Sequence, residues 1–474
     1  MDQRPPGWGD LKKSMARFMR KNGLRPAPGQ AAQAPPPQPA GAPGAAAAAP
    51  DRPAARAPAR APTPAPAAEE KAYAVPFDRD AWPKRAVLRL TSPKIGNPAV
   101  NAIFGEHPLD ASGEASERVV LLHEQSAFES KDLGQSWTQH PIHLEAAAER
   151  VFTTSTGHHL VQTQPSAQPG DVETRTVTRR YDADWKPAGE PLVTRSPWHG
   201  TCSVGEQAGT ILFAEYPVNR GKYGPADNLP LADQLVSDPC VWRSRDDGRT
   251  WEVVFQVPST QIRHLHTVAP EPGRPGRWWL TSGDRAEESH VWVSDDDGDS
   301  WRDITSETCA TPLHPTCRPR SVQRQTDQVF HDGWVIWGAD DWLGEIREWA
   351  QPGPAPMGSR IFKARADGPW EPQEIGFCGP PIRSIVDVGP AFLFLTEAKA
   401  KSISLRPESF LVFKDELDRV HRFVQFDNWG EATTGFTYSR ASRKARDGVF
   451  FSYRGARDVF NRSPRFLRWQ IEFF

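Results

Sequence analysis

The sequence predicts an all-β protein, a β-propeller of seven four-stranded blades, preceded by a Pro/Ala-rich leader that has no core of its own. Three observations carry this. One octapeptide recurs three times in the 474-residue chain, short apolar segments lie between the copies at blade-sized spacing, and the stretch before them lacks large apolar residues.

Taken in order, residues 1–23 read as a short basic amphipathic helix. Leu11, Met15, Phe18 and Met19 share one helical face, Lys12, Lys13, Arg17, Arg20 and Lys21 cover much of the rest, and Asn22-Gly23 is a stop signal. Such a helix docks to an anionic membrane surface or a partner's groove, or else stays mostly unfolded in water because it is so short. Residues 24–75 are dominated by Pro and Ala with scattered Arg and Gln, and are expected to be an extended, disordered linker. The propeller is expected over 76–474.

The repeat obeys Ser-x-Asp-x-Gly-x-(Ser/Thr)-Trp at Ser130–Trp137, Ser244–Trp251 and Ser294–Trp301. It has the chemistry of a hairpin turn. The carboxylates of Asp132, Asp246 and Asp296 accept turn amides, the glycine takes a positive φ, and Trp137, Trp251 and Trp301 pack beneath. These octamers resemble the Asp box, or bacterial neuraminidase repeat, of sialidase-like propellers. The resemblance implies a structural turn between the two outer strands of a blade, facing away from any active site.

Spacing then counts blades. The gap between the first two boxes is roughly twice that between the second and third, leaving room for a blade whose turn is degenerate at Tyr181–Trp185. Further degenerate turns read at Ala366–Trp370 and Lys414–Asp418, and Gly448–Tyr453 with Phe466–Phe474 forms a last strand pair. Apolar segments at Arg118–Leu122, Thr210–Phe213, Trp278–Leu280, Trp334–Trp337 and Phe392–Leu395 supply strands between them. Seven units of about 55 residues result, or six if the weak second unit is an insertion. Arg85–Leu90 is a strand without a blade and is expected to complete the last one, closing the ring.

Strand order places the boxes on one rim and candidate chemistry on the other. After second strands come Glu215-Tyr216, Asp284, Asp340 and Glu397-Ala-Lys399. Entering first strands come Arg263-His264-Leu-His266, Arg324 and Arg383. Glu215, Tyr216, His264, His266 and Asp284 are candidate catalytic residues; Arg263, Arg324, Asp340, Arg383, Glu397 and Lys399 are candidate substrate contacts. His264 and His266 alternate on a strand and face one way, as a proton-transfer pair, a metal pair or plain channel lining. The three arginines either clamp a carboxylate or salt-bridge neighbouring rim aspartates. Tyr216 also opens a long loop running to Cys240, a length that is often functional. No metal-ligand cluster and no cofactor motif is present, although a metal at His264/His266 stays open.

Composition narrows the function. A net charge of −2 gives no bulk electrostatic case for nucleic acid. No apolar run is long enough to span a bilayer and no secretory signal is visible, so a cytoplasmic chain is expected, membrane-associated if its helix docks. Five widely spaced cysteines are expected to be mostly free thiols, with Cys309–Cys317 as the one pair that oxidation could join. The resemblance implies a carbohydrate partner, an acidic polysaccharide among the candidates. Sialidases use an arginine triad, a Glu-assisted Tyr nucleophile and an Asp acid. The chain offers arginines and Glu215-Tyr216 but has no Arg-Ile-Pro motif before its first box. A uronate polysaccharide lyase using His264, His266, Tyr216 and Arg263 is the better enzymatic expectation, with hydrolysis by a carboxylate pair beside it. Asp-box propellers also resemble sorting receptors and assembly factors, so a non-catalytic glycan-binding or scaffold propeller is the alternative.

Overall fold

A computed structural model describes residues 70–91, 104–106, 116–123, 125–144, 146, 148–163, 176–198, 203–217, 237–283, 285–311, 313, 319–340, 359–379, 382–396, 408–425, 435–437, 445–453 and 466–474. The helix expected over 1–23 and the linker up to residue 69 lie outside them. The described strands form seven antiparallel sheets, the seven blades expected rather than six. Blades 1 to 6 follow the chain, each with its first strand innermost. Those first strands are Phe104–Glu106, Ala148–Thr153, Val204–Gln207, Leu265–Pro270, Gln325–His331 and Ile382–Asp387.

Blade 7 is assembled from both ends of the chain. Gly435–Thr437, Val449–Tyr453 and Phe466–Phe473 are joined by Arg85–Thr91, and Leu88 pairs with Ile471. The expected ring closure is therefore present. A fifth strand, Glu70–Pro76, pairs along the outside of Arg85–Thr91. It moves the start of the folded domain upstream of the expected boundary at residue 76. Turn signals do not mark it because Tyr73 and Val75, packed against the core cluster shared with blade 6, are its only large apolar residues.

Seven buried hydrophobic clusters hold the ring together, one at each seam between neighbouring blades. This explains the second strands, whose apolar runs are continuous rather than alternating with polar residues. A central strand of a blade is covered on both faces, so successive side chains serve opposite seams. Trp278 packs in the seam with blade 3 and Trp279 in the seam with blade 5.

The three octapeptides form the expected turns between third and fourth strands. In the first, Asp132 accepts the amides of Gln135 (3.0 Å) and Ser136 (2.8 Å), and Trp137 Nε1 donates to the Gly134 carbonyl (3.2 Å). The residue before each glycine is itself left-handed: φ is 52° at Leu133, 63° at Asp247 and 57° at Asp297. Its carbonyl is held by an arginine on the third strand of the preceding blade. Arg468 Nε donates to Leu133 O (2.9 Å), Arg180 Nε to Asp247 O (2.8 Å) and Arg243 Nη1 to Asp297 O (2.8 Å). The octapeptide turns thus act as inter-blade locks on the rim opposite the candidate site. Gly134 shows why glycine is required: besides its φ of 81°, a Cβ there would meet Phe451 of blade 7 at 2.6 Å.

Candidate functional site

Each first strand descends from one mouth of the ring, and each second strand climbs back to it. Residues that follow second strands of one blade therefore meet residues that precede the first strand of the next. At the seam between blades 3 and 4 this brings together Glu215, Tyr216, His264 and His266. The Tyr216 ring stacks on His264 at 3.8 Å between centroids, His264 lies 5.0 Å from His266, and the three planes are nearly parallel.

The two histidines are buried, and Tyr216 is half-buried. Leu265 pairs with Ser282 and Thr267 with Thr281, so His266 is the extra residue of a β-bulge. His264 and His266 lie two apart on the strand and face the same side. The Nδ1–H of His266 donates to the Gln325 carbonyl of blade 5 at 3.1 Å. A carbonyl can only accept, so the proton is fixed on Nδ1 and the ring's basic nitrogen is Nε2 when neutral. Thr281 Oγ1 donates to that same carbonyl (3.2 Å) and helps fix its position.

Glu215 adjoins Tyr216 in sequence but points elsewhere. On an extended backbone neighbouring side chains diverge. Its carboxylate accepts Trp242 Nε1–H (3.1 Å) and the Cys240 amide (3.2 Å), both on the third strand of its own blade. Burial, partly offset by those two donors and by Arg195, raises its pKa to about 7. The Cys240 thiol beside it is pushed up to about 12 by burial and then by Glu215, and stays protonated. The Glu-assisted tyrosine that a sialidase-like site calls for is thus not formed through this carboxylate.

The arginines are engaged by carboxylates. Arg324 Nη2 lies 2.9 Å from Asp340, across the top of blade 5, so these two expected substrate contacts meet each other. Arg263 and Arg285 each approach Glu288 at 3.6 Å, and Glu288 is fully buried in the loop after the second strand of blade 4. Sequence reasoning missed Glu288, Trp242, Cys240 and the Gln325 carbonyl. A backbone acceptor leaves no trace in residue identity, and Glu288 is one carboxylate of a Glu287-Glu288 pair of which only the packing selects one. Asp284, Glu397 and Lys399 lie outside the described residues, and of Arg383 only the backbone is described, in the first strand of blade 6.

Among the described residues no group of three or more His, Cys, Asp or Glu is arranged to hold a metal ion, and no helix is long and apolar enough to cross a membrane. Cys240 is a free thiol, and Cys317, the residue expected as a possible partner of Cys309, lies outside the described residues.

No family model and no curated protein sequence matches the chain. Among solved structures the fold is similar to an oligogalacturonate lyase in complex with manganese, at 10% identity over 85% of this chain and 96% of that one, TM-score 0.47. It is similar also to YCF48 from Cyanidioschyzon merolae, at 10% identity over 79% and 97%, TM-score 0.46. The mitotic checkpoint complex supplies a further likeness, at 8% identity over 84% and 99%, TM-score 0.44.

Proposed function

We propose that this propeller binds a glycan at the mouth between blades 3 and 4, with Tyr216 as the face against which a sugar ring lies. The observation that carries the reading is the Tyr216–His264–His266 stack: a flat, polarisable wall with imidazole nitrogens at its back. A pyranose presents one face of C–H bonds flanked by hydroxyls, which suits an aromatic plane with polar atoms close by. Recognition is favoured over cleavage because Arg263 and Arg324 are already paired with Glu288 and Asp340, and Glu215 is turned towards Trp242. The three Asp boxes support a sialidase-like ancestry within this reading. Acidic and neutral polysaccharides are both candidate ligands, and residues 1–23 would tether the propeller at a cytoplasmic membrane surface or partner.

A second reading, cleavage by a lyase-type mechanism, has one specific support. His266, with its proton fixed on Nδ1, offers Nε2 as a base for an α-proton, and Tyr216 lies on the same stack. One experiment separates the two. The full chain is titrated with a panel of acidic and neutral polysaccharides by calorimetry while reducing ends and the absorbance of unsaturated uronates are followed. Binding without new ends, weakened at least tenfold by Tyr216→Ala, is the expected result. New ends with absorbance would mean a lyase and without it a hydrolase; silence in every channel would overturn the glycan reading.

A further inference from the structure

Gln325 and Gln328 lie on the first strand of blade 5, and both are fully buried. The ladder to the second strand shifts between them by one residue: Gln325 pairs with Ala339 and Gln328 with Trp337. Cross-strand partners share a face, so both glutamines face blade 4, in the seam where Trp337 and Ala339 pack. Phe330, two residues beyond Gln328, follows them there and meets Trp279 of blade 4. The two residues between the glutamines serve the other seam. Thr326 Oγ1 donates to the Ile382 carbonyl of blade 6 (2.8 Å), and Asp327 accepts the Ile385 amide of the same blade (2.7 Å). Strict alternation would put the two glutamines on opposite faces; the bulge brings them to one.

Neither the oxygen nor the nitrogen of either side-chain amide has a hydrogen-bond partner among the described residues. The polar groups beside them are already engaged. The Gln325 backbone carbonyl accepts His266 Nδ1–H and Thr281 Oγ1–H, and Thr267 donates its own hydroxyl proton to Thr281 (2.8 Å). Two uncompensated amides in a protein interior are costly, and native structures pair almost all such groups. Whatever pairs these must both donate and accept, because each amide presents an NH2 group and a carbonyl. A bare cation would satisfy only the two oxygens, and a halide only the two NH2 groups. Water does both, and it is small enough for a site closed to solvent.

We propose that the inner end of the seam between blades 4 and 5 is a water-binding site, holding internal water on the amides of Gln325 and Gln328. It adjoins the candidate mouth, because the carbonyl that fixes the His266 proton belongs to Gln325 itself. The water therefore braces the residue from which the His266 ring takes its orientation. The inference holds whatever the mouth binds.

Oxygen-17 magnetic relaxation dispersion on the full chain tests it by counting waters held longer than the protein takes to tumble. Gln325→Met/Gln328→Met keeps the length of both side chains and removes both amides. The wild type should hold at least one more long-lived water than this variant, and equal counts would overturn the site. Urea unfolding of the same two proteins gives a second readout. With water serving the amides, the apolar variant should gain no stability; a higher midpoint would mean that the amides were dry and would sink the proposal. Should the variant fail to fold, the wild type decides alone. A high-resolution crystal structure of the full chain should then show a water oxygen within about 3.2 Å of each amide, and a seam without one would overturn the inference.

Discussion

Arg243 carries the clearest energetic prediction. It is 4% exposed, donates Nη1 to the Asp297 carbonyl of the next blade (2.8 Å), and pairs with Glu252 (2.8 Å) and Asp299 (2.7 Å). Replacing it by alanine removes two buried methylenes, each worth about 0.8 kcal/mol. It also leaves a carbonyl of a left-handed residue without its charged donor, at roughly 1.5–3 kcal/mol. The two carboxylates are more than half exposed and return to water, so their pairing adds no more than about 1 kcal/mol. Arg243→Ala should therefore cost about 3–5 kcal/mol by equilibrium urea unfolding followed by tryptophan fluorescence. Arg245→Ala is the control. Arg245 is half exposed and pairs with the same Asp299 at 3.1 Å without holding the Asp297 carbonyl, so its loss should stay within about 0.5 kcal/mol. Equal costs for the two variants, or a cost for Arg243→Ala under about 1 kcal/mol, would refute the inter-blade lock.

Other outcomes follow from the same structure. The folded pKa of Glu215 lies above its unfolded value of 4.5, so its contribution is full below pH 4.5 and lost as pH rises through about 7. His159 acts the other way: burial and then Arg118 lower it to about 2, so stability falls as pH drops below 6.5. The two slopes oppose one another between pH 4.5 and 6.5, so the contributions of these two groups largely cancel there. The stability difference between wild type and Glu215→Gln should fall by about 3 kcal/mol between pH 4.5 and 7, measured by urea unfolding at each pH. Asp340→Asn removes the buried carboxylate that pairs with Arg324 at 2.9 Å and should cost about 3–5 kcal/mol in the same assay. In Gly338→Ala the new Cβ would lie 2.3 Å from two side-chain atoms of Ile382, forcing blades 5 and 6 apart; a loss of roughly 1–3 kcal/mol is expected, and a neutral result would contradict the packing of that seam.

The ring was legible in the residues alone. The three octapeptides read correctly as turns because the groups their Asp carboxylates bind lie within the same eight residues. Blade number followed from their spacing, and closure by Arg85–Leu90 followed from a strand left without a blade. The mouth residues were legible as a set for the same topological reason: strand order alone sends Glu215, Tyr216, His264 and His266 to one rim. What they do there was decided only by tertiary structure. The carbonyl of Gln325 that fixes the proton of His266, and the burial that makes Glu288 rather than Glu287 the partner of Arg263, both depend on a neighbouring strand or blade. The arginine locks show the same division, since Arg180, Arg243 and Arg468 look like ordinary strand arginines until the next blade brings a left-handed carbonyl to each. Local turn chemistry is written in adjacent residues; the direction of a side chain at a seam, and the dielectric around a carboxyl group, are set by atoms far away in the chain.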